Sequence, residues 1–162
     1  MFQNEQLKVK VTAAYTDLDK LKGENWSSRE RPHYPPWDEC PPSRDKGVEF
    51  RQRAEIRLVS GQEVFSERKG DGSGEFRGWM AHRDGTDPDI ISLLMFADAG
   101  PPPVLTVFGP VGWVPTVELT VQVRAHPAPG PIQFRTVCHY LTNGVVEEDG
   151  EYWDSDGQLV VI

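Results

Sequence analysis

Apolar and polar residues alternate with a period of two in several separate stretches of this chain. Leu7, Val9, Val11, Ala13 and Tyr15 alternate with Lys8, Lys10, Thr12 and Ala14, and Phe50, Gln52, Ala54, Ile56 and Leu58 with Arg51, Arg53, Glu55 and Arg57. The same period recurs in Thr116–Arg124 and in Ile132–Leu141, while Phe76–Arg83, Val145–Trp153 and the apolar run Leu159–Ile162 also read as strands. Each stretch predicts a strand with one buried face. The stretches are separated by turn signals: Gly70-Asp71-Gly72-Ser73-Gly74, Asp84-Gly85, Thr142-Asn143-Gly144 and Asp154-Ser155-Asp156-Gly157.

One segment breaks the rule. From Asp87 to Gly100 the sequence predicts a helix of about three turns, with Asp87 as N-cap, Pro88 at the first helical position, and Gly100 followed by prolines as the stop. Ile90, Leu93, Leu94 and Ala97 cover one side, while Ile91, Met95 and Phe96 cover most of the other. A helix apolar nearly all round is expected to be buried. Strand, strand, buried helix and three or four further antiparallel strands predict an α+β fold, a curved antiparallel sheet wrapped around one central helix.

Composition sets the bounds. With 162 residues, 38% of them apolar, the chain suffices for one domain and an appendage. Residues 23–47 carry Pro32, Pro35, Pro36, Pro41 and Pro42 with Trp26, Tyr34 and Trp37. That composition forbids helix and predicts a linker lying across a domain surface between an orphan strand in residues 1–22 and a domain at 48–162. The net charge of -8 argues against a nucleic-acid partner. Grouped arginines on the 50–58 strand are the local feature able to hold phosphates, or else form a merely solvated face. Cys40 and Cys138 lack metal or disulfide spacing, and His33, His82, His126 and His139 fall in unrelated settings, so no metal or cofactor is expected and the histidines read as structural. No segment reads as a membrane span or a signal peptide, which gives the expectation of a cytoplasmic chain without membrane contact.

Asp98 is the one ionisable residue in the later turns of the helix. The macrodipole and any desolvation disfavour a carboxylate there, which makes it a candidate general base; the alternative is an Asp at a frayed end facing water.

Three runs carry a family likeness. Leu93-Leu94-Met95-Phe96-Ala97-Asp98, then Val114-Pro115-Thr116-Val117-Glu118-Leu119-Thr120-Val121, then Glu148 to Val160 resemble, in order and spacing, the C-terminal half of double-hotdog acyl-CoA thioesterases of the thioesterase II type. The resemblance implies a hotdog fold in which an Asp of the second unit's helix activates water, assisted by a Thr or Ser at the start of the next strand and a Gln near the C-terminal end. Asp98 and Thr116 match the first two. The Gln would fall a few residues past Ile162, and Gln158 is too early to replace it. Met1–Tyr15 resembles the last strand of a first hotdog unit.

The implied activity is hydrolysis of acyl-CoA to free acid and CoA, in a homodimer or beside a complementing hotdog unit. The alternative is a noncatalytic or truncated hotdog module serving dimerisation or acyl binding. A hydratase is the weaker reading, because no paired Asp and His stand at the helix start around Asp87.

Overall fold

The computed structural model describes residues 1–44, 49–110 and 112–162. The expected domain boundary at 47/48 lies outside the described residues. In chain order the elements are a short hairpin of β1 (Phe2–Gln3) and β2 (Gln6–Leu7), then β3 (Ala54–Leu58), α1 (Gln62–Ser66), β4 (Glu75–His82), α2 (Ile90–Ala99) and α3 (Val104–Phe108). After these come β5 (Ile132–Val137), β6 (Leu141–Thr142), β7 (Val145–Val146), β8 (Asp149–Trp153) and β9 (Leu159–Val161).

Five strands form one antiparallel sheet in the order β3-β4-β5-β8-β9. Period-two alternation sends Ile56, Leu58, Phe76, Met80, Ile132, Phe134 and Tyr152 to one face, where they pack with Leu93, Phe96 and Ala99 of α2 in the main core. Gly78 sits in the middle of β4, where a Cβ would collide with the Arg57 carbonyl oxygen. Only glycine lets the β3 and Phe134 neighbours close over that position. At the tip beyond β5, Asn143 and Gly144 both take positive φ and close the predicted turn between β6 and β7.

The opposite face of the sheet is covered by the proline-rich segment. Tyr34, Cys40 and Trp79 form a second core cluster joined by Trp37 and Val59. The Tyr34 hydroxyl donates to the Phe134 carbonyl at 3.2 Å, and the Trp79 indole donates to the Pro35 carbonyl at 3.0 Å. Pro42 bridges Arg57 at the β3 edge, and Gln133 of β5 donates to the Pro32 carbonyl at 2.6 Å. As expected, the segment lies across a domain surface; its prolines cannot complete a ladder, so it is held by side chains and by carbonyls that accept.

Six expectations need correction. Residues 8–17 form no strand: Val11 and Tyr15 are exposed, and a strand without a neighbour has no ladder to fix it. Residues 49–53 are a 3-10 helix, so β3 begins at Ala54. The clearest alternation in the sequence, Thr116–Arg124, also makes no regular strand. It lies at the sheet edge, where Gln122 and Arg124 donate to the carbonyls of Ile162 and Val160 and Val123 bridges Val161, while Val117 is 94% exposed. Alternation marks a surface ready to pair, not a partner.

The helix differs twice. Its N-cap is Asp89, not Asp87, because the Asp89 carboxylate accepts the Ser92 amide while the Ser92 hydroxyl accepts the Asp89 amide; Asp87 instead accepts from the Gly130 amide. It is also not buried all round, since Ile91 and Leu94 are exposed while Leu93 and Phe96 are inside. Finally, the apolar run Ile90–Phe108 does reach 19 residues, the length of a span, contrary to expectation. It is broken between α2 and α3, and half of its most apolar window is packed inside the fold.

Candidate active site

The helix carries the site. Its start is fixed by the Asp89–Ser92 capping box, to which the His82 ring adds a 2.7 Å contact from the end of β4. His82 is thus a satisfied structural histidine, stacked at an angle on Phe96. Ser92, Leu93, Phe96 and Ala99 anchor the inner face. The outer turn therefore presents Asp98 at a defined place near the C-terminus of α2.

After α3 the chain returns past this turn, and the Thr116 hydroxyl donates to Asp98 Oδ1 at 2.8 Å. The two residues nominated from sequence meet, although they lie 18 positions apart and on no common element. Thr116 is itself exposed and not part of a strand, so it is the hydrogen bond rather than a ladder that fixes its place. A carboxylate has two acceptor oxygens, so the Thr116 bond orients Asp98 and leaves capacity for a water.

The pair opens onto a cleft of about 910 Å³. Val104, Phe108, Val114, Val146 and Val161 give it apolar walls, and Arg51, Asp98, Thr116, Glu118 and Glu148 are its polar groups. Such a mixture, apolar walls with a few convergent polar groups, suits a small-molecule site. Tyr152 forms part of the wall beneath, its hydroxyl donating to the Ala97 carbonyl at 3.3 Å, and burial pushes its ionisation far above the ordinary range.

Glu148 is the functional group that sequence reasoning missed. It lines the cleft and keeps contact with solvent. Loss of hydration pushes its carboxyl up to about 7, with Asp98 and Glu147 adding to the rise and Arg51 opposing it. The signal available was thin: an acidic pair, Glu147-Glu148, directly before a strand whose alternate residues Gly150 and Tyr152 face the helix.

The arginines of the 50–58 region do not form one phosphate-holding face. Arg57 is engaged by Glu55 at 2.8 Å and lies over the Trp37 ring at 4.5 Å, whereas Arg51 lines the cleft. Both cysteines are free thiols, Cys40 buried, and no group of three potential metal ligands occurs among the described residues.

A five-stranded antiparallel sheet with its main helix packed on one face, and a carboxylate of that helix at the mouth of a cleft, defines a hotdog-fold protein. The solved structure of a hotdog-fold protein of unknown function from Alicyclobacillus acidocaldarius matches it with a TM-score of 0.71, at 24% identity, over 86% of this chain and 55% of that one. The family follows from sequence: the profile described as acyl-CoA thioesterase C-terminal domain matches residues 28–162, and the chain belongs to that family. The match includes the proline-rich segment that backs the sheet.

A proposed thioesterase II from Thermobifida fusca is similar at 29% identity with a TM-score of 0.71, over 86% of this chain and 53% of its own. A proposed thioesterase from Novosphingobium aromaticivorans is similar at 25% identity with a TM-score of 0.62. An uncharacterized protein of Mycobacterium tuberculosis is 34% identical over 83 residues, 51% of this chain and 28% of the relative. The chain thus spans about half the length of the solved structures that it matches.

Proposed function

We propose that this chain is an acyl-CoA thioesterase unit, hydrolysing a thioester to free acid and CoA with Asp98 as general base. The observation that carries the reading is the Thr116–Asp98 hydrogen bond of 2.8 Å at the mouth of a largely apolar cleft. Asp98 takes the proton of a water that attacks the thioester carbon, and Thr116 holds the carboxylate in line for that transfer. The acyl chain lies along the apolar walls, where its burial supplies binding energy.

The site is open on one side. Phe108, Trp113, Val117 and Leu119 are exposed around the cleft, and a second hotdog unit covering them would remove water from the reaction. The solved relatives are long enough to hold another unit of this size. In the chain alone we assign that place to a second copy, which makes the active form a homodimer. Sedimentation should therefore show a dimer at micromolar concentration; a monodisperse monomer would count against this assembly.

The deciding experiment is hydrolysis of short, medium and long acyl-CoA thioesters by the chain beside Asp98→Asn. Turnover lost in a folded variant supports the enzyme. No turnover by the folded wild-type chain on any substrate leaves the noncatalytic module as the better account.

A further inference from the structure

Glu148 belongs to the same site by placement. It precedes β8 by one residue and lines the cleft together with Gly150 and Tyr152, the alternate positions of that strand. Tyr152 in turn reaches Ala97, the residue next to Asp98. The two carboxyls thus line one cleft, close enough for Asp98 to act electrostatically on Glu148. We propose that Glu148 is a second catalytic residue, a neutral carboxylic acid that donates a hydrogen bond to the oxyanion formed when water adds to the thioester carbonyl.

This rests on the hydrolase reading above. As the bond from water oxygen to carbon forms, the carbonyl pair moves onto oxygen, the water proton passes to Asp98, and Glu148 keeps its own proton while hydrogen-bonding the new anion. When the carbon–sulfur bond breaks, the carbonyl re-forms, sulfur leaves with the pair, and Asp98 returns the proton to it. An ionised Glu148 would instead repel the oxyanion, so only the neutral acid is productive.

The surroundings favour that form. Poor hydration and the charges of Asp98 and Glu147 hold the carboxyl neutral up to about pH 7, and Arg51 is the opposing cation. Glu118 also lines the cleft, from the 114–120 segment, and Tyr152 is held un-ionised by burial.

The test compares the pH profile of kcat for wild type, Glu148→Gln and Glu148→Ala on the acyl-CoA that turns over fastest. Wild type should fall about tenfold per pH unit above its break near 7. Glu148→Gln keeps a neutral N–H donor, so it should retain the rate at pH 6 within a few-fold, on the order of one hydrogen bond, and lose the alkaline fall. Glu148→Ala should lose roughly 10²-fold at pH 6. An alkaline fall that persists in Glu148→Gln, or an Ala variant as fast as wild type, overturns the role of Glu148 while leaving the hydrolase standing. Absence of wild-type turnover overturns both. Carbon-13 titration of the Glu148 carboxyl in the full chain gives a readout without substrate: a midpoint near 7 is expected, and one near the ordinary 4.5 sinks the proposal.

Discussion

The two faces of the sheet treat their carboxylates in opposite ways. On the face covered by the proline-rich segment, Glu75 of β4 is held by Arg77 and by Arg135, whose Nε lies at 3.0 Å, and Arg135 also reaches Glu151. Burial alone would push Glu75 up. The hydrogen bonds and charges of Arg135 and Arg77 outweigh it and hold Glu75 below the usual carboxylate range. On the helix side, Glu148 is desolvated with two acids as neighbours and is driven up instead. A carboxylate with arginine partners is part of the scaffold; one set beside another acid in a cleft is available for chemistry.

The contrast breaks most sharply at Asp98. Replacement with Asn should cut hydrolysis by roughly 10²–10⁴-fold. Stability should hardly move, since Thr116 can still bond the amide oxygen and the residue stands on the outer turn of the helix. Unchanged turnover in a folded Asp98→Asn protein would remove the distinction between the two faces. Replacing Glu75 does the reverse. Glu75→Ala leaves Arg77 and Arg135 partly buried without their acceptor, and should cost about 1–3 kcal/mol in urea unfolding. Its effect on kcat should stay below about twofold, well under 1 kcal/mol of barrier.

How far this arrangement was legible in the sequence depends on which force set each part. Strands β3, β4, β5 and β8 were readable because one face of each is buried in the main core, and burial writes itself as alternation; β9 was readable as a continuous apolar run, with Val160 and Val161 both in that core. Thr116–Arg124 alternates better than any of them, yet only Val121 and Val123 pack partly against the core while Val117 and Leu119 stay exposed, because pairing depends on a neighbour that alternation does not name. The helix was placed correctly, but its cap was set two residues early. Pro88 argued for Asp87, whereas the reciprocal bonds of Asp89 and Ser92 decided it. Asp98 was readable as the one ionisable residue in the later turns of the helix, and family likeness supplied Thr116. Glu148 stayed hidden because its importance comes from desolvation and from Asp98, neither of which is local in sequence.

Thr116 gives the next smaller effect. Thr116→Val keeps the shape and removes the donor, and should lower kcat about tenfold, near 1.4 kcal/mol of barrier. Because the residue is exposed, the urea midpoint should be unchanged. A loss of stability with normal turnover would instead make the hydroxyl a structural tie, placing it with the Glu75 network rather than with the cleft.

The smallest effect is also the most discriminating, because the two acids must shift stability in opposite directions with pH. Glu75 has a lowered native pKa, so its contribution is present above the unfolded value near 4.5 and is lost as pH falls below it. Glu148 has a raised native pKa, so its contribution is full below about 4.5 and is lost as pH rises through about 7. At pH 8 Glu148→Gln should therefore resist urea better than wild type, and the advantage should disappear toward pH 4.5. Glu75→Gln should be weaker than wild type at pH 7, with the difference shrinking in acid. Parallel pH dependence in the two variants would show that a common field, not the separate partners on each face, governs these carboxyls. Opposite slopes would tie each acid to its own surroundings, arginine on one side of the sheet and Asp98 in a poorly hydrated cleft on the other.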